Sequence, residues 1–308
     1  MSGRGSLVYQ MQETLKTVFR PGHSRHEDKK NGRYEIIRGI QTMRANMADV
    51  AQFARYVRTR CPNTISIAQI TPAMAQAFIA ELRVCERSGG RIGRVISSIR
   101  KLDLACRKAG IVPVDCPSLL PREIKGFHSD CRTTAYSADQ IRSLLGFIEK
   151  MDPEVARLLA TMWVTGLRIT EAVYLRSDNI DFENKLLDLR DNSNRTKGGR
   201  PRRVVVEPEY DSFLIEIALL GDANNDKHIF RGRSSLPDRA RVMVREACTQ
   251  LTIPCLGTHG FRKAFAVRQY LLARETLPEN NGRCIQFVSQ QLGHNRMEIT
   301  KQSYVGGK

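Results

Sequence analysis

The apolar residues in the first part of the chain recur at helical spacing, and this pattern limits the fold more than any other feature. Over residues 34–60, and again over residues 91–109, apolar positions are three or four residues apart, whereas a half-buried strand would place them at every second position. Between these runs, Thr71-Pro72 is typical of a helix start, because Thr caps the first turn and Pro fits its first position. The sequence therefore predicts an all-helical module over residues 31–120.

One face of the helix predicted over residues 91–109 is rich in positive charge, with Asp103 as its one acid. The whole chain carries 49 Lys and Arg against 32 Asp and Glu, a net charge of +17, and most of that excess lies in residues 1–125. Such charge favours a polyanionic partner, because each contact with a phosphate releases condensed counterions. A solvated helix face is the alternative for these residues. The side chains that we predict to contact nucleic acid are Arg91, Arg94, Arg100, Lys101, Arg107 and Lys108.

The rest of the chain mixes helical and extended patterns. Ser137 is followed three residues later by Gln140, which predicts a capping box at a helix start. Asp152 and the proline after it predict the start of a second helix. Two β-type segments then follow, over residues 185–191 and 202–208, joined by a polar turn. Since the later segments are again helical in pattern, we expect a mainly α fold with a small β-sheet.

These patterns divide the chain into four parts. We predict a basic N-terminal extension over residues 1–30, the helical module over residues 31–120, a linker over residues 121–135, and a mixed α+β module over residues 136–308. The linker is rich in proline and lacks a sustained period. Charge and pattern together predict two folded domains, of which the first is the more basic.

Several classes of protein are excluded by features that the sequence does not contain. Its longest apolar runs are far shorter than the ~18 residues of a membrane span, and its N-terminus has no apolar secretion core. The 8 Cys residues include no CxxC pair, which fits neither a zinc site nor a disulfide framework. We therefore expect a soluble intracellular protein that is cytoplasmic and associated with the nucleoid, with reduced thiols and no metal or cofactor.

Two arginines of the second module suit a reaction at a phosphodiester. Arg168 follows a glycine at the predicted end of a buried helix, and Glu171 is close enough in sequence to orient it. Arg262 lies one turn after His259 at a predicted helix start, where helix-end N–H groups favour an anion. A guanidinium binds two non-bridging phosphate oxygens and stays charged, so a pair of them can stabilise a pentacovalent transition state without a metal.

The same module offers a nucleophile and a proton donor. Tyr304 is a plausible nucleophile because a phenol can form a covalent phosphodiester intermediate, with Tyr270 and Tyr210 as alternative phenols. Lys197, in the polar turn between the two β-type segments, is a credible donor of the proton that a departing 5′-oxygen needs. Neighbouring cations in or near that turn are alternative contacts to a phosphate backbone: Arg200, Arg202 and Arg203.

Four motifs in this order resemble those of the tyrosine recombinases, or phage-type integrases. They are GLRITE over residues 166–171, HGFR over residues 259–262, LGH over residues 292–294 and QSY over residues 302–304. The resemblance implies that Arg168 and Arg262 bind the scissile phosphate and that Tyr304 attacks it to form a 3′-phosphotyrosine link. It also implies a general acid in Lys197 and aids to proton transfer and phosphate contact in His259 and His294.

The resemblance further implies how the protein acts. Its helical module would be a core-binding, DNA-binding domain and its second module a catalytic domain, and together they would bind duplex DNA with paired inverted half-sites. Dimers would assemble into a tetramer that exchanges strands through a Holliday junction, for integration or excision of a mobile element, with DNA-bending or directionality factors as possible accessories. The alternatives are a type IB topoisomerase or telomere resolvase of the same chemistry, and a catalytically silent DNA-binding protein.

Overall fold

A computed structural model of the chain describes residues 5–124, 134–189, 201–293 and 297–301. The chain divides into two compact units, Met1–Asp130 and Cys131–Lys308, and each unit has its own hydrophobic core. The division falls within the predicted linker over residues 121–135. The prediction of a mainly α fold with a small β-sheet is confirmed.

The described part of the first unit is helical. Its core is built from the apolar faces of these helices, and the helix with the basic face packs against three of the others. The helices are α1 (Leu7–Lys16), α2 (Arg25–Lys30), α3 (Ile40–Arg60), α4 (Pro72–Val84) and α5 (Gly89–Lys108).

The predicted start and stop signals of the first unit lie where the helices begin and end. The Thr71 hydroxyl accepts a hydrogen bond from the Met74 backbone N–H at 3.3 Å, and Pro72 is the first residue of α4. Gly110 follows α5 in a left-handed conformation, with a φ of 68°, which a residue without a Cβ adopts at little cost. The apolar face predicted for α5 is fully buried, over Ile92, Val95, Ile96, Ile99, Leu102 and Cys106.

Two expectations for the start of the chain are corrected. The helix predicted from residue 34 begins only at Ile40, because the backbone before it pairs as a strand does: Ile37 donates to the Val18 carbonyl at 3.0 Å and accepts from Arg20 N–H at 2.8 Å. Residues 1–30, predicted as an extension, contribute α1 to the first unit. Leu7 and its neighbours one and two turns on are at most 1% exposed within that unit's core.

The second unit contains a three-stranded antiparallel sheet in the order β1-β2-β3. Its strands are β1 (Ile180–Asp181), β2 (Leu186–Asp188) and β3 (Arg203–Val205); β1 is too short to show a pattern in the sequence. Its described helices are α6 (Ala138–Met151), α7 (Pro153–Thr165), α8 (Ile169–Val173), α9 (Asp211–Asp222), α10 (Leu236–Gln250), α11 (His259–Thr276), α12 (Asn281–Gln291) and α13 (Met297–Thr300). Within the described ranges, no helix is both long enough and apolar enough to cross a membrane.

The turn after α7 brings two helices of the second unit into close contact. Gly166 ends α7 with a φ of 62°, and a Cβ built on it would lie 2.2 Å from Cδ1 of Phe265 on α11. Any side chain at this position would therefore face both an unfavourable backbone conformation and an overlap with an aromatic ring. The glycine lets the chain reverse directly against α11, so the residues after it start next to that helix.

We expect Gly166→Ala to destabilise the second unit by about 3 kcal/mol, because a left-handed alanine costs about 1–2 kcal/mol and the overlap with Phe265 adds to this. Gly257→Ala is the matched control. Gly257 has a φ of 65°, yet no other part of the described chain lies within 4 Å of the position that an added methyl group would take, so about 1 kcal/mol is expected. Urea unfolding followed by the fluorescence of Trp163, the chain's 1 Trp, measures both. Equal losses would contradict the packing argument.

Candidate active site

The arginine of the GLRITE motif is fixed by the glutamate three residues after it. Arg168 is the N-cap of the short helix α8, and Glu171 accepts its backbone N–H at 2.8 Å and its Nη1 at 2.7 Å. The contact expected from the sequence is thus present. The Arg168 side chain keeps 23% of its surface exposed, so its guanidinium is both anchored and open to solvent.

The Glu171 carboxylate is completely buried and accepts hydrogen bonds from a second arginine. Arg202 donates Nη1 to Oε1 at 3.2 Å and Nη2 to Oε2 at 2.7 Å. Burial opposes ionisation of Glu171, but the hydrogen bonds and charges of Arg202 and Arg168 outweigh it and lower the pKa of this carboxyl to about 2. The glutamate is therefore charged at every physiological pH.

The arginine of the HGFR motif connects three segments from beneath the surface. Arg262 is fully buried and donates to the backbone carbonyl of Gly166, to that of Leu292 at 2.6 Å, and lies 3.8 Å from Oε2 of Glu171. Hydrogen bonds to two carbonyls fix its plane as well as its position. Arg262 thus brings the turn after α7 and the end of α12 to the first turn of α11.

His259, the first residue of α11, is exposed beside these cations. Crowding by surrounding protein atoms, and then the positive charges of Arg262, Lys263 and Arg168, lower its pKa to about 4. The free protein therefore carries a neutral imidazole here at pH 7. A neutral imidazole can accept a proton through one ring nitrogen and donate a hydrogen bond through the other, whereas an imidazolium can only donate.

The start of α11 is positioned by a tyrosine that the sequence did not indicate. The Tyr136 hydroxyl accepts the Leu256 N–H at 2.8 Å, and its ring packs edge-on against Phe261 with centroids 5.4 Å apart. A Cβ on Gly260 would lie 2.4 Å from the Tyr136 ring. Glycine at the second motif position is therefore required by this contact, and the contact fixes the residues that flank it.

The site has an excess of positive charge. Arg168, Arg202 and Arg262 all lie within 4 Å of one carboxylate, and the neutral His259 adds no charge. Such a cationic site, with one guanidinium and one imidazole reaching solvent, suits a phosphate group. Among the described residues there is no cluster of three His, Cys, Asp or Glu side chains that would bind a metal ion.

Several predicted residues of the site lie outside the described residues. These are Lys197, Arg200, His294 and Tyr304. The two alternative phenols are described: Tyr270 is 1% exposed and donates to Asn281 Oδ1 at 2.9 Å. Burial, only partly offset by the charge of Arg268, raises the pKa of Tyr210 to about 12. Tyr270 is therefore shielded from a DNA substrate, and the raised pKa of Tyr210 disfavours its phenolate.

The basic face of α5 is largely engaged within the first unit. Arg91 and Arg94 both bond to Asp49 of α3, which is buried. Arg100 donates to backbone carbonyls of residues 120–124, Lys101 to those of residues 34 and 36, and Arg107 to Asp103.

Two of the six basic side chains retain broad solvent exposure: Arg94 with 52% and Lys108, paired with Glu35, with 51%. The predicted phosphate-facing surface therefore has fewer open cations than the sequence indicates.

The side chains of the two adjacent cations at the start of β3 lie on opposite faces. Arg202 is buried, which corrects its expected place on a DNA-facing surface, because both of its Nη groups donate to the Glu171 carboxylate. Arg203 keeps 54% of its side chain exposed and pairs with Asp188 at 3.4 Å. The alternation of side chains along a strand explains the difference.

The sequence profile of the phage integrase family matches residues 135–307. A curated relative, the tyrosine recombinase XerC of Mesorhizobium japonicum, is 28% identical over 280 residues, which cover 86% of this chain and 85% of that protein. The fold and the site define a class of protein with two mainly helical units and a site built from arginine, glutamate and histidine. The chain belongs to the phage integrase family of tyrosine recombinases.

Solved structures with the same fold are more distant in sequence. The Tn1549 transposon integrase in complex with transposon right-end DNA aligns with a TM-score of 0.63 at 13% identity, covering 98% of this chain and 96% of that one. The XerH site-specific recombinase bound to a palindromic difH substrate gives 0.63 at 15% identity, covering 96% of this chain and 90% of that one. A lambda integrase dimer bound to a core site gives 0.65 at 13% identity, covering 96% and 78%. At these identities the similarity concerns the fold.

The depressed pKa of Glu171 predicts a pH dependence of stability. A carboxyl with a folded pKa of about 2, against an ordinary 4.5, stabilises the fold fully above pH 4.5 and loses that contribution as the pH falls towards 2. The loss amounts to about 3 kcal/mol. We therefore expect the difference in free energy of unfolding between the wild type and Glu171→Gln to shrink by this amount between pH 6 and pH 2. Urea unfolding followed by Trp163 fluorescence measures it.

Glu246→Gln, at an exposed position of α10, is the control for loss of a surface carboxylate. Parallel stability curves for wild type and Glu171→Gln across this pH range would contradict a carboxylate whose charge stabilises the fold.

Proposed function

We propose that this chain is a site-specific DNA recombinase that cleaves and rejoins duplex DNA through a covalent 3′-phosphotyrosine intermediate. The observation that carries the proposal is the convergence of three guanidiniums on buried Glu171, with Arg168 and His259 reaching solvent beside it. Family membership supports the same reaction. Duplex DNA is the proposed substrate because its phosphodiester matches a cationic site.

The proposed reaction needs one bond to form as another breaks. Tyr304 Oη attacks the scissile phosphorus and forms a phosphotyrosine bond, while the bond to the 5′-oxygen breaks and that oxygen takes a proton from Lys197. The phosphotyrosine conserves the energy of the broken bond. Attack by the 5′-hydroxyl of another strand then reverses the step and rejoins the DNA, so the reaction consumes no cofactor.

The described residues supply the charge for this reaction. Arg168 is placed to bind the non-bridging oxygens, which become more negative in the pentacovalent transition state. Arg262 contributes positive charge from beneath the surface of the site, and its own hydrogen bonds to two carbonyls keep it in place as the charge on the phosphate develops. Neutral His259 donates a hydrogen bond or accepts the nucleophile's proton. His294 is proposed as a second aid to proton transfer on the resemblance of its motif.

We further propose strand exchange between two sites, with inverted half-sites bound by dimers that assemble into a tetramer and form a Holliday junction. A role in moving a mobile element is supported by the kind of protein that shares the fold, which includes an integrase of a transposon and a phage-type integrase dimer on its core site. Recombination between two plasmid-borne copies of a target site, scored by product size, tests this. Relaxation of supercoils without exchange would favour a topoisomerase instead.

Removing only the attacking oxygen tests the nucleophile. We expect Tyr304→Phe to bind DNA as the wild type does but to form no covalent adduct, because the phosphotyrosine bond lacks its oxygen. The measurement is the SDS-resistant protein–DNA complex on a suicide substrate. Tyr210→Phe, at the half-buried alternative phenol, should retain the adduct. An adduct that persists in Tyr304→Phe would rule out this nucleophile.

A sulfur substitution in the DNA separates proton donation from phosphate binding. Lys197→Ala should slow cleavage of ordinary DNA by about 10²–10⁴-fold, the usual range for a positioned general acid. It should cleave DNA with a 5′-bridging sulfur at nearly the wild-type rate, because a thiolate leaves without a proton. Arg168→Ala is the contrast, since both substrates need charge stabilisation and sulfur should not restore it. If Lys197→Ala remains equally slow on the sulfur substrate, the acid lies elsewhere, with Arg200 and His259 as candidates.

A further inference from the structure

Arg202 differs from its neighbouring cation in both burial and partner. Its residue is 8% exposed, its side chain 5%, and its backbone carbonyl accepts the Leu189 N–H at 2.9 Å as β3 begins. Both oxygens of the Glu171 carboxylate accept from its guanidinium, at 3.2 Å and 2.7 Å. This bidentate geometry fixes the orientation of the carboxylate as well as its position.

The Arg202 side chain also packs against the segment that precedes His294. Gly293 follows α12 with a φ of 65°, and a Cβ built on it would lie 3.0 Å from both Cδ and Nη1 of Arg202. Glycine at this motif position therefore leaves the space that the arginine occupies. The start of β3, the start of α8 and the end of α12 all meet at this one side chain.

We infer that Arg202 is a positioning residue, which acts through Glu171 to orient Arg168 and which fixes the Leu292–Gly293 segment beside Arg262. This inference rests on the proposed function, since the orientation matters only if Arg168 binds the reacting phosphate. Arg202 itself touches neither DNA nor the reacting atoms. Its loss removes the bidentate contact and leaves the Glu171 carboxylate with the hydrogen bonds of Arg168 and the more distant charge of Arg262, so that carboxylate and the Arg168 guanidinium can rotate together.

Arg202→Met tests the inference, because methionine fills part of the same volume but cannot donate to Glu171. We expect the variant to bind DNA with wild-type affinity and wild-type salt dependence, while single-turnover cleavage of bound DNA falls by about 100-fold, the effect of misplacing a group by about 1 Å. A phosphate contact would behave in the opposite way. It would lower affinity and reduce the salt slope by about one, with cleavage of the bound complex unchanged, and that result would overturn the inference.

Two other arginines calibrate the measurement. Arg203→Met removes an exposed guanidinium from the adjacent position and gives the size of a change in affinity and salt slope at this strand. Arg157→Met removes a guanidinium from a surface pair with Glu216, whose side chain is 60% exposed, and should change neither binding nor cleavage. Equal cleavage defects in Arg157→Met and Arg202→Met would show a general effect of losing an ion pair and overturn the inference.

Arg202→Lys and a double variant keep the test decisive if Arg202→Met does not fold. Lysine retains the charge but not the fork, so we expect wild-type melting temperature and DNA affinity with cleavage slowed about tenfold. Arg202→Lys in a Glu171→Gln background should cleave no more slowly than Glu171→Gln alone, because lysine keeps the aliphatic chain beside Gly293 and both changes then act on the same guanidinium–carboxylate contact. Additive losses would mean that Arg202 acts independently of Glu171.

The wild-type protein, assayed in parallel, separates the two ideas. A wild type that forms no covalent adduct on any DNA overturns the proposed function, and this inference with it. If the wild type cleaves DNA normally and Arg202→Lys cleaves it equally fast, the positioning role alone is overturned.

Discussion

The arrangement of the second unit depends on one buried carboxylate. Glu171 is fully enclosed, and a lone charge there would be costly, so it must be neutralised by partners that are themselves well placed. Arg168 and Arg202 donate to it directly and Arg262 lies within 4 Å. Each arginine comes from a different segment, so neutralising one carboxylate brings those segments together and leaves a surplus of positive charge at the site.

Backbone carbonyl groups also help to hold these segments together. Arg262 uses the carbonyls of Gly166 and Leu292, which lie at the ends of two helices where carbonyls lack helical partners. Close approach of these segments requires residues without a Cβ. Gly166 faces a phenylalanine ring, Gly260 a tyrosine ring and Gly293 the Arg202 side chain. The glycines of the motifs are thus explained by packing around the site, and the charged residues by what they neutralise.

The first unit also contains a buried carboxylate that binds two arginines. Asp49 of α3 is buried and binds Arg91 and Arg94 of α5, together with the Ser98 hydroxyl at 2.8 Å. These contacts connect two helices and neutralise cations that the net charge alone would assign to a DNA-facing surface. A net charge of +17 therefore predicts the kind of partner better than it predicts which residues meet that partner. Arg94 and Lys108 remain the more open cations of α5.

The sequence by itself determined the local features of this protein. Capping residues such as Thr71 and Ser137, the apolar face of α5, the left-handed Gly166 and the contact of Glu171 with Arg168 all depend on residues a few positions apart, whose spacing is visible in one dimension. Only the tertiary structure decided which groups from distant segments meet. The burial of Arg202 on Glu171, the support of α11 by Tyr136 and the packing of α1 into the first unit join residues far apart in the chain. Periodicity cannot reveal such pairs, because it reports which face a residue lies on and not which distant segment packs against that face. The adjacent Arg202 and Arg203 have equal charge, and only the packing of the sheet makes one a buried partner of Glu171 and leaves the other exposed.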